Sequence, residues 1–457
     1  MDVERSFINE QEYPDLDIAA ACEHLSAMIR CCTISYQDTD SIDWSQFDRL
    51  HEIIRSSYPS IMSQATVEVF GHNLRITIKG FDPTLRPALL MAHQDVVPVI
   101  KGTEQDWKYP PFSGAITEDS IWGRGTLDIK NMLAGHLEAV EYLLRKGCKF
   151  RRTVILAFAE DEEERSVGAI TLAETLKSRG IELEYVLDEG GSVTDGSLYG
   201  AEGILVGGIG IYEKGYADIL LKASSTGGHS SNPFNGTSLG HLAAAINNIV
   251  SHPFEPQLPD CVRETLNILK PYITEEPLKS LLEKEDNTVE ILDYWLSREE
   301  LYNQVITTIA PTQITPGSEA PNVMPQNMSA TINFRLTPQT TAAKLLEHCR
   351  KYAGDDAEVI LYQSNEASSS ANYHSYGFTK LKDVLSHFFR DMIFVPAVNT
   401  GSTDARQYER VCDCCMRFEP YLTNDGSGVH GTNEYIPIRA YAQGIRVIIR
   451  LLEETCI

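Results

Sequence analysis

Short apolar runs alternate with amphipathic segments between residues 87 and 189, and this alternation constrains the fold more than any other feature. Three runs have the length and apolar composition of buried strands, namely residues 87–92, 154–159 and 184–187. Between them, residues 130–145 and 168–180 place apolar side chains near helical spacing and end at glycine. This β–α–β–α–β order predicts an α/β fold with a mostly parallel sheet covered by helices.

The pattern changes after Ile211 and returns near Ser368. Residues 212–367 predict an inserted α+β domain, with strands, helices and a long acidic segment that lacks a clear period, about 253–305. From about residue 368 the chain again predicts a helix, a short strand and a closing helix. We therefore predict an α/β domain built from residues 1–211 and 368–457, interrupted by the inserted domain.

The charge balance limits the partners of the chain. Lys and Arg total 39 against 64 Asp and Glu, which gives a formal net charge of -25. Such an excess disfavours nucleic acid and anionic membranes as partners. The first residues lack a basic segment followed by an apolar core, and no apolar run approaches the roughly 20 residues that span a bilayer. We expect a cytoplasmic protein without a membrane partner.

Histidines and carboxylates follow several of the predicted strands and loops. They are His93, Asp128, the acidic run 160–164, the pair Asp188 and Glu189, and His430. The carboxyl ends of strands in an open α/β sheet lie at one edge, so these groups can converge. Imidazoles with carboxylates suit zinc, and this many ligands suits two ions that share a carboxylate. One carboxylate of the run can then act as a general base.

Each group also has a simpler interpretation. His93 alone could be a core histidine, and Asp128 alone could cap the helix that begins near Lys130. The acidic run alone would be a solvated helix start, and His430 alone would be a loop residue. The joint pattern favours the metal hypothesis over these alternatives.

Eight motifs in order carry a resemblance to a known family. They are "HQDVVP", "WGRGTLDIKNM", "AFAEDEEERSVGA", "EYVLDEGG", "STGGHSSNP", "NVMP…INFRLTP", "NTGSTDARQY" and "GVHGTNEYIP", over about 90–436. On these motifs the chain resembles the co-catalytic zinc metallopeptidase family of aminoacylases, acetylornithine deacetylases, succinyl-diaminopimelate desuccinylases and carboxypeptidase S. The most similar branch is that of carboxypeptidase S and N-acyl-amino-acid hydrolases. The resemblance implies a di-zinc exopeptidase-like catalytic domain with an inserted lid domain of the dimerisation type.

The resemblance also implies the roles of the site residues. His93 and His430 would each bind one of two zinc ions, for which cobalt or manganese could substitute, and Asp128 would bridge the ions. Glu163 would share the ion of His430, and Asp188 that of His93, although the adjacent Glu189 could supply this oxygen instead. Glu162 would be the general base, and Asp95 would orient His93.

The motifs outside the metal cluster imply substrate contacts. By resemblance, His229 would donate a hydrogen bond to the oxyanion, and Asn322, Arg335 and Arg406 are candidates for binding the substrate carboxylate. Any of these arginines could equally form a structural ion pair. The resemblance allows a homodimer through the inserted domain. The chain departs from the family at Glu164 and Arg165, where relatives carry small residues.

The implied activity is zinc-dependent hydrolysis of an amide or peptide bond next to a free carboxylate. Small peptides, N-acetyl amino acids and long-chain N-acyl amino acids all remain open as substrates. Two alternatives belong to other classes: a non-catalytic binding protein on the same fold, and a di-metal phosphoesterase. The phosphoesterase would call for a Gly-rich phosphate loop or a cluster of Arg and Lys, which the sequence does not show.

Overall fold

A computed structural model describes residues 2–424 and 428–457. Its helices are α1 (Ile18–Ile29), α2 (Trp44–Ser57), α3 (Pro59–Gln64), α4 (Lys130–Arg145), α5 (Val167–Ser178), α6 (Ser238–Val250), α7 (Asp260–Leu269), α8 (Leu278–Leu281), α9 (Thr288–Leu296), α10 (Ala342–Ala353), α11 (Tyr376–Phe388) and α12 (Ile438–Cys456). Its strands are β1 (Thr66–Phe70), β2 (Asn73–Ile78), β3 (Ala88–His93), β4 (Ala115–Ile116), β5 (Ser120–Trp122), β6 (Val154–Ala159), β7 (Tyr185–Asp188), β8 (Ser192–Asp195), β9 (Leu205–Glu213), β10 (Gly215–Ser224), β11 (Gly228–His229), β12 (Thr308–Ile314), β13 (Val323–Met324), β14 (Asn327–Leu336), β15 (Glu358–Asn365), β16 (Met392–Asn399), β17 (Cys415–Arg417) and β18 (Tyr435–Pro437).

The chain divides into two compact units. The larger unit comprises Met1–Ile211, Ser370–Ala397 and Thr403–Ile457. The smaller unit comprises Tyr212–Ser369 together with the short segment Val398–Ser402. The first division therefore falls after Ile211, where the sequence pattern changes, whereas the segment at 398–402 has no counterpart in the predicted boundaries.

The larger unit is built on a nine-stranded sheet with a parallel centre. Its strand order is β1-β2-β6-β3-β7-β17-β9-β16, with β8 paired to β9. The neighbours β6, β3, β7 and β17 run parallel, and the strands towards β1 and β9 are antiparallel. All residues of β3, β6 and β7 are buried, as expected for parallel strands covered on both faces. The predicted α/β class with a parallel central sheet is confirmed.

The helix α4 is the most deeply enclosed element next to this sheet. It runs from Lys130 to Arg145, the range that the helical spacing predicts, and nearly all of its residues are buried. It contacts β3, α1 and α12, so apolar side chains are needed around most of its circumference. Gly147 follows with a φ of +75°, a conformation that ends the helix without strain only at glycine. Among the described helices, none combines the length and apolarity that a bilayer span requires.

The smaller unit contains a four-stranded antiparallel sheet with the order β12-β14-β10-β15. Along β14 every second residue is buried, from Met328 to Leu336, and the helices α6 and α10 pack on this apolar face. The acidic segment about 253–305 forms α7, α8 and α9, which the sequence interpretation did not predict. Each of these helices has at most ten residues and prolines precede two of them, so no long period is visible.

Candidate metal centre and active site

Three parallel strands deliver the candidate ligands to one edge of the large sheet. His93 is the last residue of β3 and pairs in register with Ala159, the last residue of β6. Glu162 and Glu163 follow β6 within four residues, and Glu189 directly follows β7 on the other side of β3. Because these strands are parallel, their carboxyl ends meet, and this convergence is what the sequence predicts.

The first candidate ligand group contains His93, Asp128 and Glu189. The His93 Nε2 atom lies 3.0 Å from Asp128 Oδ1 and 3.6 Å from Glu189 Oε1. One ligand atom from each of the three residues lies within 4.8 Å of the others, a spacing that one metal ion could bridge. The imidazole is 1 % exposed, so its position is fixed by packing as well as by these contacts.

The second group contains Asp128, Glu163 and His430. The His430 Nε2 atom lies 2.9 Å from Asp128 Oδ2 and 3.1 Å from Glu163 Oε2. Asp128 thus offers one carboxylate oxygen to each group. His430 adopts a φ of +58°, which is uncommon for a residue with a side chain and typical of functional loops.

The two groups bring an excess of negative charge into a mostly buried space. Burial and the nearby Glu189 carboxylate raise the pKa of Glu162 well above its usual value. Contacts with Asp128 and Glu163 raise the pKa of His430 to about 10. Burial opposes charge on His93, but the carboxylates of Glu189 and Asp128 outweigh it and raise the His93 pKa. These carboxylates need cationic partners, which bound metal ions would supply.

Asp95 contacts both His93 at the end of β3 and the turn that follows β6. It is fully buried; its backbone carbonyl oxygen lies 2.9 Å from His93 Nδ1 at hydrogen-bond distance, and its Oδ1 atom lies 3.3 Å from the same nitrogen. The same carboxylate also accepts the backbone N–H groups of Glu162 and Glu163, each at 3.1 Å. The Ser35 hydroxyl donates a further bond of 2.6 Å. Asp95 therefore holds the turn that carries the proposed base in addition to the imidazole.

Glu434 holds the loop that carries Asp128 by accepting its backbone N–H groups. The sequence analysis did not identify Glu434 as a site residue. Its buried carboxylate accepts the backbone N–H groups of Gly125, Leu127 and Asp128 at 2.8–3.2 Å. Arg124 donates to its other oxygen at 2.6 Å. Glu434 lies within the quoted motif "GVHGTNEYIP", but no local spacing links it to a loop some 300 residues earlier.

The structure places Glu189 rather than Asp188 in the first ligand group. Asp188 ends β7, and its Oδ2 atom accepts the backbone N–H of Ala405 at 2.7 Å. Consecutive residues at a strand end point to opposite sides, so only one of the pair can face His93. The turn that Asp188 contacts, Asp404–Arg410, carries the predicted substrate residue Arg406.

The remaining residues of the acidic run have separate structural roles. Asp161 is 1 % exposed and accepts the Gly168 backbone N–H at 2.7 Å, so it closes the turn before α5. Arg165 donates two hydrogen bonds to the same carboxylate. This pairing accommodates the large basic side chain at position 165. Glu160 is half-buried and accepts the His72 backbone N–H at 2.5 Å, so it ties the acidic run to the turn before β2.

Three predicted site residues belong to the smaller unit. His229 is exposed on β11, and its Nδ1 atom accepts the Ser231 backbone N–H at 3.1 Å. A neutral imidazole held in this way carries its proton on Nε2, where it can donate. Asn322 precedes β13, which pairs with β11, and its carbonyl accepts the Ser230 N–H. Arg335 lies on β14 with its guanidinium 5.0 Å from the centre of the Tyr216 ring.

Comparison with known proteins identifies similar chains over nearly the whole length. A family model described as peptidase family M20/M25/M40 matches residues 89–454. The mouse N-fatty-acyl-amino acid synthase/hydrolase PM20D1 is 30 % identical over 454 residues, covering 97 % of this chain and 89 % of the relative. The probable carboxypeptidase S-like 2 of Dictyostelium discoideum is 31 % identical over 436 residues, covering 93 % and 82 %. The M20 family metallo-carboxypeptidase Sso-CP2 of Sulfolobus solfataricus aligns with a TM-score of 0.66 at 20 % identity, covering 95 % and 98 %.

Proposed function

Because the chain belongs to peptidase family M20/M25/M40, we propose that it is a zinc-dependent amidohydrolase. Its substrate would carry an amide or peptide bond next to a free carboxylate, as in a carboxypeptidase or an N-acyl-amino-acid hydrolase. One observation carries this proposal: two ligand groups share Asp128, while the adjacent carboxylate of Glu162 belongs to neither group. This arrangement supplies both metal ligands and a free base.

The residues present fit a pair of divalent ions. His93, Asp128 and Glu189 would hold one ion, and Asp128, Glu163 and His430 the other, so Glu189 takes the place proposed for Asp188. Each group has three protein ligands, which leaves a position open, and the donor set suits zinc, with cobalt or manganese as substitutes. In addition, the Glu163 Oε1 atom is buried without a hydrogen-bond partner. When bound, the ions would supply a water of lowered pKa and positive charge beside the scissile carbonyl.

Glu162 would move the proton during the reaction. Burial and the Glu189 carboxylate raise its pKa, so it can accept a proton from the attacking water and hold it. It would then return this proton to the nitrogen of the leaving amine. The hydrogen bond from its backbone N–H to the Asp95 carboxylate fixes the position of the main chain from which the Glu162 side chain extends. Asp95 is therefore a positioning residue in this proposal.

The substrate contacts remain proposals of the same kind. His229 would donate from Nε2 to the developing oxyanion, which is supported by the hydrogen bond at its Nδ1 atom. Asn322, Arg335 and Arg406 are proposed to bind the substrate carboxylate, for which a guanidinium fork is well suited. A homodimer through the smaller unit and a cytoplasmic location stay predictions. The edge strands β12 and β15 offer backbone groups through which a second copy could pair.

The test compares Glu162→Gln with the matched control Glu164→Gln in zinc-loaded protein. We expect Glu162→Gln to lower kcat on N-acyl amino acids or dipeptides by at least about a hundredfold, since general-base catalysis contributes roughly 10²–10⁴-fold. The control should change kcat by less than about threefold, and metal analysis should give the same zinc content for both variants. Near-normal turnover of Glu162→Gln would refute the assigned base. Hydrolysis of phosphate esters in preference to amides would refute the proposed reaction.

A further inference from the structure

A small apolar pocket lies against the metal cluster within the larger unit. It has a volume of about 180 Å³. Three residues of its wall are the chain neighbours of candidate ligands: Leu127 precedes Asp128, Gly190 follows Glu189, and Val429 precedes His430. Residues next to ligands of both groups therefore line the pocket, so a substrate whose amide lies at the cluster would extend a substituent into it.

The pocket wall is chemically suited to a hydrocarbon chain. Leu127, Phe418 and Tyr421 form a buried inner wall, each at most 5 % exposed. At the rim, Val429 is 47 % exposed, an apolar surface that a bound chain would remove from water. Val193 completes the wall from β8 and is half-buried. An apolar lining with few polar groups is the usual composition of a small-molecule site.

Charge decides which end of the substrate the pocket accepts. Among its lining residues, all of which the structure describes, Glu419 is the only Asp or Glu, and no Lys, Arg or His is present. The Glu419 carboxylate accepts a hydrogen bond of 2.5 Å from Asn131 and so keeps its place in the wall. The pocket therefore offers no cationic side chain to pair with the free carboxylate of an N-acyl amino acid, and burying that carboxylate unpaired would be costly. The acyl chain of the substrate carries no charge and can therefore occupy the pocket.

We propose that this pocket binds the acyl chain of an N-acyl amino acid and sets the preferred acyl length. This inference rests on the function proposed above. An apolar cavity of roughly 150 Å³ holds benzene, so about 180 Å³ accommodates a chain of about six carbons. The enzyme should therefore prefer hexanoyl over acetyl substrates, and longer chains should gain little more because their additional carbons lie outside the pocket.

The first experiment is an acyl-length series on the zinc-loaded wild-type enzyme with one amino acid. We expect kcat/KM to rise about fourfold per methylene from acetyl to hexanoyl, corresponding to about 0.8 kcal/mol for each buried methylene. From hexanoyl to dodecanoyl the total gain should be less than about fivefold. A flat series, or a fourfold rise per methylene that continues to dodecanoyl, would overturn the proposal.

The second experiment fills the pocket with Val193→Trp and uses Thr194→Trp as the matched control. Thr194 is the next residue of β8, points to the opposite side and does not line the pocket. The isomers N-hexanoyl-glycine and N-acetyl-norleucine carry the same atoms on opposite sides of the amide. We expect Val193→Trp to lower kcat/KM for hexanoyl-glycine by at least tenfold and for acetyl-norleucine by less than threefold, whereas Thr194→Trp changes neither beyond threefold.

The outcomes separate this inference from the proposed function. If acetyl-norleucine is the isomer that loses activity, the pocket binds the amino-acid side chain and the acyl assignment is wrong. Equal losses for both isomers would indicate damage to the metal centre and would also contradict a specificity role. If the metal-loaded wild type hydrolyses no N-acyl amino acid and no dipeptide, the proposed function itself fails. Binding of hexanoyl-glycine to Glu162→Gln, measured by calorimetry, should weaken at least tenfold when Val193→Trp is added.

Discussion

Removing the Asp95 carboxylate should damage the stability of the larger unit and its metal affinity together. In Asp95→Ala the backbone N–H groups of Glu162 and Glu163 and the Ser35 hydroxyl all lose their acceptor. A buried donor left unsatisfied costs about 1–3 kcal/mol, and the three costs are not additive, so we expect a loss of about 3–5 kcal/mol in the free energy of unfolding. The His93 imidazole keeps its hydrogen bond to the backbone carbonyl of residue 95 but loses the carboxylate 3.3 Å from Nδ1, and the ligand Glu163 loses the acceptor of its N–H; the loss of such supporting contacts typically weakens metal binding about 10–100-fold.

Two further variants calibrate this effect. Asp95→Asn keeps the shape and one accepting oxygen, so we expect about half of the stability loss and about a tenfold loss of zinc affinity. Ser35→Ala removes a single hydrogen bond to the same carboxylate and should cost about 1 kcal/mol without changing zinc affinity beyond about twofold.

The measurements are urea unfolding of the metal-free protein, zinc affinity by chelator competition, and hydrogen exchange of the peptide that contains Glu162 and Glu163. Exchange reports the two amides locally and does not depend on two-state unfolding of a chain with two units. We expect both amides to lose protection in Asp95→Ala and to keep it in Ser35→Ala. If Asp95→Ala retains its unfolding free energy within about 0.5 kcal/mol and its zinc affinity within about twofold, then Asp95 does not support the site.

Two other predictions concern a metal ligand and a buried histidine. Elemental analysis after dialysis should show that Glu189→Ala has lost one metal ion per chain. Asp188→Asn keeps an oxygen that accepts the Ala405 N–H and should retain both ions. The reverse pattern would show that Asp188 is the ligand. Burial lowers the pKa of His136 from 6.5 to about 3, so between these values the unfolded chain binds a proton that the folded chain does not, and stability falls as the pH falls. At pH 5 this cost is about 2 kcal/mol. Between pH 7 and pH 5 the wild type should therefore lose about 2 kcal/mol more of its unfolding free energy than His136→Gln does. Equal losses in the two proteins would contradict the lowered pKa of His136.

Sequence patterns predict the parts of this molecule that local periodicity determines. The helix α4 begins and ends where its spacing and Gly147 indicate, and the apolar runs become β3, β6 and β7. The same runs predict that His93 and the acidic segment meet, since parallel strands end at one edge of a sheet. Local periodicity gave no indication of α7, because ten amphipathic residues after a proline are too few to distinguish a helix from a loop.

Long-range and single-residue choices could not be predicted in the same way. Which member of the pair Asp188 and Glu189 faces His93 depends on the residue at which β7 ends, and strand ends are the least certain part of a sequence-based prediction. The hydrogen bonds between Glu434 and the Asp128 loop join two motifs that are far apart in the chain, and the sequence of neither motif indicates that they are in contact. Likewise, the role of Arg165 is visible only when Asp161 is known to be buried.

The link between Glu434 and the Asp128 loop has a consequence for the biosynthesis of the enzyme. The two residues are 306 positions apart, so at roughly 5–20 residues per second the ribosome adds Glu434 about 15–60 s after Asp128. His93, Asp128 and Glu189 are all synthesised well before Glu434, but until Glu434 is added the loop that carries the shared ligand has no acceptor for its backbone N–H groups. Completion of the metal centre is therefore a late event of synthesis, and the nascent chain spends most of its time on the ribosome without a finished site.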